Sequence, residues 1–289
     1  MAESPAHRFG QVIGELLESV VLPQLETFCQ AHRLYLDHQK RKRPARAGKK
    51  VSWSDQYGNT HDLDFVIERD GTDQQMGRPF AFIEKAWRRY TKHSRNKAQE
   101  IQGAILPLAE KYRWNNPFLG TVLAGVFTEG SLDQLRSLGF NVLYFPYDSL
   151  VAAFQSEGIN TAFDEDTPDD VFRRTTERIE GTPPATMRRI CAHLVRANQP
   201  GIDSFFDALN RRLGRHVTRV VVIPLYGRVN EFATIEDAVR FLDSHMIYEG
   251  SGEFRKYELR IEFSNGDKVE AFIEAKDKVK EFLDFVARQ

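Results

Sequence analysis

Between Pro79 and Asp148 the chain alternates apolar stretches of strand length with stretches of helical period, and this alternation limits the possible folds more than any other feature. "PFAFIEKAW" has the make-up of a buried strand, and "SRNKAQEIQGAILPLAEKY" that of an amphipathic helix. "FLGTVLAGVFT" follows as a strand, "GSLDQLRSLG" as a short helix and "FNVLYFPYD" as a further strand. Strand, helix, strand, helix, strand predicts an α/β protein whose sheet is layered with helices. Upstream, Val12, Ile13, Leu16, Leu17, Val20, Val21, Leu25 and Phe28 recur near the 3.6 period. They predict a long helix from Phe9 to about Leu36, bent or restarted at Pro23. "YGNTHDLDFVIERDG" reads as turn, strand, turn.

Composition shifts at the acidic stretch "NTAFDEDTPDD", which sets an expected domain boundary between about 163 and 170. Residues 1–165 form the first expected domain and 166–289 the second, with Asp169 to Gly214 helical. From Thr218 a weak internal repeat reads strand, turn, strand, helix twice. Phe232 precedes Val239 in one copy as Phe272 precedes Val279 in the other, and Asn265-Gly266 marks a tight hairpin. A small C-terminal α/β module is expected there.

The 289 residues carry 40 Lys and Arg against 41 Asp and Glu, so attraction to a polyanion has to come from local clustering. Two such clusters exist. Seven Lys or Arg lie between Lys40 and Lys50, and Arg88, Arg89, Lys92, His93, Arg95 and Lys97 follow the "PFAFIEKAW" strand. Lys40, Arg41, Lys42, Arg43, Arg88, Arg89, Lys92 and Arg95 are the candidate nucleic-acid contacts. The alternative for the first cluster is a solvated loop. Cys29 and Cys191 are too few for a disulfide framework or a cysteine-rich zinc site. No apolar run approaches the roughly 20 residues that span a membrane. The first ten residues lack a charged-then-apolar signal pattern, so a cytoplasmic protein with reduced thiols is expected.

Between the two basic clusters stand Asp64 and Glu84, each in an apolar strand. A short hairpin would set the two carboxyls side by side. Unpaired carboxylates are costly to bury, and a divalent cation with a taste for hard oxygen ligands is the simplest partner. Carboxylates, a metal and a cationic rim are the components of metal-assisted phosphodiester hydrolysis.

"HDLDFVIE" and "FAFIEKAW", preceded by the helix "IGELLESVV", resemble the PD-(D/E)XK nuclease superfamily from Phe9 to about Phe154. The resemblance implies a restriction-endonuclease-like mixed sheet flanked by helices. It implies an endonuclease acting on DNA with Mg²⁺, or Mn²⁺ as a substitute, in restriction or anti-phage defence. By the same resemblance Asp64 and Glu84 are the metal ligands, and Glu18 or Glu15 is an accessory acid, with Asp62 in reserve. Members of the superfamily often act as homo-oligomers or within larger complexes, so either a homo-oligomer or a defence-complex subunit is expected. The sequence departs from the family pattern where Ala86 takes the place of the motif lysine. Lys92 or Lys97 could reach back from the next helix, a bulge could turn Lys85 inward, or the site could have stopped cutting. In the last case the chain is a DNA-binding or scaffolding subunit whose partner does the chemistry. In the endonuclease reading the C-terminal module would bind DNA, select the target or mediate assembly.

Overall fold

The computed structural model describes residues 4–46, 48–90, 94–214, 216–225, 227–244, 254–264 and 267–288. The chain divides into two compact units, Met1–Phe206 and Asp207–Gln289. Both are mixed α/β, and among the described residues no helix is long and apolar enough to cross a membrane.

The first unit opens with helix α1, Pro5–Ala31, capped at its start by the Ser4 side chain. Its apolar stripe, from Phe9 through Leu25 to Phe28, is buried. Pro23 does not restart the helix, which runs through it as one element. The helix does not extend to Leu36. Arg33 adopts a left-handed conformation with φ 55°, and the chain reverses into strand β1, Tyr35–His38. Strands β2, Val51–Ser54, and β3, Thr60–Leu63, form a separate two-stranded hairpin. The main sheet continues with β4, Phe65–Arg69, and β5, Arg78–Arg88. Helix α2, Ser94–Lys111, leads to β6, Phe118–Gly125; helix α3, Glu129–Ser137, leads to β7, Asn141–Pro146. The sheet order is β1-β4-β5-β6-β7, antiparallel on the β1 side of β5 and parallel on the β7 side. This mixed order follows from the connections. β4 and β5 form a hairpin, whereas α2 and α3 are crossovers that return the chain parallel.

Helix α2 buries Ala98, Ile101, Ile105 and Leu108 against Phe82, Ala86 and Leu123 on one face of the sheet. Helix α1 packs against β5 on the other, where Phe9 meets Trp87 edge-on. Gly125 ends β6 with φ 96°. A Cβ there would lie 2.0 Å from the Arg88 carbonyl oxygen, so only glycine lets β6 pass the end of β5 this closely.

The expected boundary near 163–170 is not where the chain divides. Beyond α4, Tyr147–Gln155, lie α5, Asp169–Glu180, and α6, Pro184–Ala197. Phe172 of α5 packs against Phe9 and Phe163, and α6 lies against α1 and α4. The division falls within α7, Gln199–Leu213.

The second unit bears the repeat. It contains β8, Val217–Pro224, β9, Asn230–Phe232, and α8, Ile235–Ser244, then β10, Tyr257–Phe263, β11, Lys268–Ile273, and α9, Lys276–Ala287. Its sheet, β11-β10-β8-β9, is antiparallel throughout. Val217 and Tyr257 begin equivalent strands, and Phe232 and Phe272 occupy equivalent places, at the same spacing as Val239 and Val279. Val220 pairs with Ile261 and Val221 with Arg260, so the two copies meet through their first strands about a local pseudo-twofold. Val220, Val222, Leu242, Leu259, Ile261, Val279 and Leu283 form their shared core. The Asn265-Gly266 turn lies outside the described residues.

Candidate active site

Asp64 occupies the bend between β3 and β4, so "THDLDFVIER" forms two strands in different sheets rather than one. In the β4–β5 hairpin Phe65 pairs with Ile83, which brings the residue before β4 beside Glu84. The Asp64 Oδ2 accepts a hydrogen bond from the Lys85 backbone N–H at 2.8 Å.

Successive side chains of a strand turn to opposite faces. Phe82 and Ala86 lie in the core under α2, so Glu84 shares that face. Trp87 packs on α1, and Lys85 turns the same way to an ion pair with Glu18. No bulge is needed to place Lys85. The β5–β6 register runs unbroken from Ala81 to Arg88, and the irregularity of the hairpin lies between Ile67 and Glu68. The Lys85 amine still comes within 3.8 Å of Asp64 Oδ1. Asp64 stands at a corner outside the strand pleat, where it can meet Glu84 and the Lys85 amine together.

Burial pushes the Glu84 carboxyl up to about 9, helped by repulsion from Asp64, while the charge of Lys97 works the other way. Asp64 is also raised by burial, against the pull of the Lys85 amine and N–H. Glu18 is desolvated as well, yet hydrogen bonds from Lys85 and Lys40 outweigh that, and its carboxyl sits below its ordinary value. Lys40 Nζ lies 3.0 Å from Glu18 Oε1. Lys97 Nζ lies 3.0 Å from Glu100, and Arg88 lies 3.7 Å from the same carboxylate.

Among the described residues, Glu84 Oε1 and the Oγ1 of Thr121, the ladder neighbour of Glu84 on β6, are buried with no hydrogen-bond partner. An unpartnered buried oxygen beside a second carboxyl fits a hard cation, whose charge would favour both ionised forms. Asp64 and Glu84 would hold it. Among the described residues no group of three or more His, Cys, Asp or Glu could hold a metal ion. A two-carboxylate set therefore leaves the other ligand positions to water and substrate, as Mg²⁺ commonly does.

The other expected residues divide. Lys85, Lys97 and Glu18 join the site. Glu15 is exposed, and Asp62 is held by Lys50 and Ser52 on the β2–β3 hairpin, so neither serves the pair. Lys92 and His93 lie outside the described residues. Arg43 is no nucleic-acid contact. Its side chain has no exposure and is bound by Asp37 and Glu68. Lys42 and Arg95 are exposed; Arg41 pairs with Asp73. Arg89 stacks on Tyr90 and Phe172. Thr121 was missed, although a hydroxyl in the middle of the apolar run "FLGTVLAG" is a visible signal.

No protein-family model matches the chain, and no curated protein does. Among solved structures, the crystal structure of a protein of unknown function designated AF1548 aligns with 64% of this chain and 98% of its own, at 11% identity and a TM-score of 0.28. A likeness of that degree sets neither fold family nor function.

Proposed function

We propose that the first unit is a Mg²⁺-dependent nuclease, with Mn²⁺ as a substitute, that hydrolyses phosphodiester bonds in DNA through a restriction-endonuclease-like sheet. The observation that carries this reading is the half-buried Asp64–Glu84 pair with its unpartnered, buried Glu84 oxygen, set among Lys85, Lys97 and Lys40. A bound divalent ion would supply Lewis acidity toward the phosphate. The chain's own part is positioning and charge. Lys97, whose charge reaches both carboxyls, and Lys85 are the cations placed to orient an attacking water and to offset charge developing on the phosphate. Glu18 ties down the Lys85 amine and fixes its direction.

The test is nicking of supercoiled plasmid with Mg²⁺, Mn²⁺ or EDTA by the native chain, Asp64→Ala and Glu84→Ala. Metal-dependent nicking lost in both variants is expected. A second reading, a non-cutting DNA-binding subunit, draws on Ala86 at the motif lysine position and on the ion-pairing of Lys85 and Lys97 to acids. DNA binding without cleavage by any form, with any metal or candidate partner, would select it.

A further inference from the structure

Beside the carboxylate pair, a cavity of about 420 Å³ opens between α1 and the end of β5. Its size falls within the range of small-ligand sites, roughly 300–1,000 Å³. Among the described residues its ionisable lining is basic: His7, Lys85, Arg88, Arg89 and Lys97. Trp87, whose ring packs over Gly10, gives it an aromatic wall, and Gly14 leaves the adjoining turn of α1 bare. A Cβ built on Gly14 meets no atom within 4 Å. The Arg89 Nη1 is buried with no hydrogen-bond partner among the described residues. A donor without an acceptor, in a cationic cavity with an aromatic wall, calls for an anion joined to a flat ring.

We infer that this cavity binds one nucleotide unit of a single-stranded or frayed nucleic-acid end, with its phosphate on Arg88, Arg89 and Lys97 and its base against Trp87 and the open turn of α1 at Gly14. This deepens the nuclease reading, since it makes the preferred substrate an unpaired nucleotide rather than an intact duplex. A base held there would stack as bases do on aromatic side chains in single-strand-binding grooves.

Calorimetric titration of the full chain in EDTA, with dAMP, deoxyadenosine and inorganic phosphate as probes, tests it without any cleavage. dAMP is expected to bind at least about 10-fold tighter than either fragment. Gly14→Leu fills the cavity at a helical position with room for the side chain and should abolish dAMP binding. Gly103→Leu, also on a helix with open space around it, should leave binding unchanged. Arg89→Gln should remove most of the preference for dAMP over deoxyadenosine. Equal binding of dAMP and inorganic phosphate, or dAMP binding undiminished by Gly14→Leu, would overturn the inference. Plasmid nicking by the native chain with no dAMP binding would defeat this inference alone. dAMP binding lost in Gly14→Leu, with no nicking under any metal, would defeat only the nuclease reading.

Discussion

Glu84 is held where an ionised carboxylate is disfavoured, and its proton carries a stability signature. Unfolded, it ionises near 4.5; folded, it keeps its proton up to about 9. Between those values the folded chain binds more protons than the unfolded chain, so stability is full at the acid end and falls as pH rises. Asp64, also raised, acts in the same direction. In EDTA the thermal midpoint is therefore expected to fall from about pH 6 to about pH 8.5. Glu84→Gln should flatten that slope, and Mg²⁺ should raise the midpoint of the native chain at the alkaline end. A slope unchanged in Glu84→Gln would show that the buried carboxyl is not its source. Glu84→Ala should cost about three orders of magnitude in nicking rate with DNA binding retained, since several kcal/mol of charge stabilisation depends on it. Comparing Lys85→Ala with Lys97→Ala in the same assay locates the catalytic cation. The larger loss is expected for Lys97, because its partner Glu100 is exposed and holds it weakly, whereas the Lys85 amine is engaged by the shielded Glu18.

At the scale of elements, the basic segment after β1 is a stapled loop rather than a free arm. Arg43 and Arg46 turn inward to Asp37, and Arg43 also takes Glu68 and the carbonyl oxygens of Thr72 and Gln75. Removing one member of a buried ion network leaves its partners uncompensated. Arg43→Ala should destabilise the chain by about 3–5 kcal/mol in urea denaturation. Arg41→Ala and Lys42→Ala, on the exposed side, should change stability by less than about 1 kcal/mol while weakening DNA binding in a salt-dependent way. Equal stability losses for all three would mean that the inward network is not what orders the loop. The loop's order also places Lys40, because the staple holds it where its amine meets Glu18.

For the whole molecule, the two units make different use of sequence distance. The second closes on itself through a repeated motif whose copies pair locally. The first recruits α5 and α6 from beyond the acidic stretch to cover α1. A chain cut after residue 165 exposes the face of Phe9 and Phe163 that Phe172 covers, whereas a chain cut after Leu213 keeps it. The shorter fragment is expected to lose several kcal/mol of stability, as burial of large aromatic side chains contributes about 1.5–3 kcal/mol each. The longer fragment should melt cooperatively. Circular dichroism melts of the two fragments decide the point, and a stable 1–165 fragment would contradict it.

Periodicity alone determined most of the elements. The amphipathic stripe of α1, the β5–α2–β6–α3–β7 alternation and the doubled strand-strand-helix unit all repeat locally, and local repeats follow from which side chains must leave water. The adjacency of Asp64 and Glu84 was legible as well, because a short hairpin leaves few registers. Tertiary structure decided what depends on partners far along the chain. The inward turn of Arg43 depends on Glu68, the end of α1 on a single left-handed residue at Arg33, and the unit boundary on Phe172 meeting Phe9. The placement of Lys85 was decided there too. Pleat alternation sends it away from Glu84 and toward Glu18, and the corner at Asp64, made where one strand leaves a hairpin and the next enters the main sheet, brings one carboxylate of the pair within its reach.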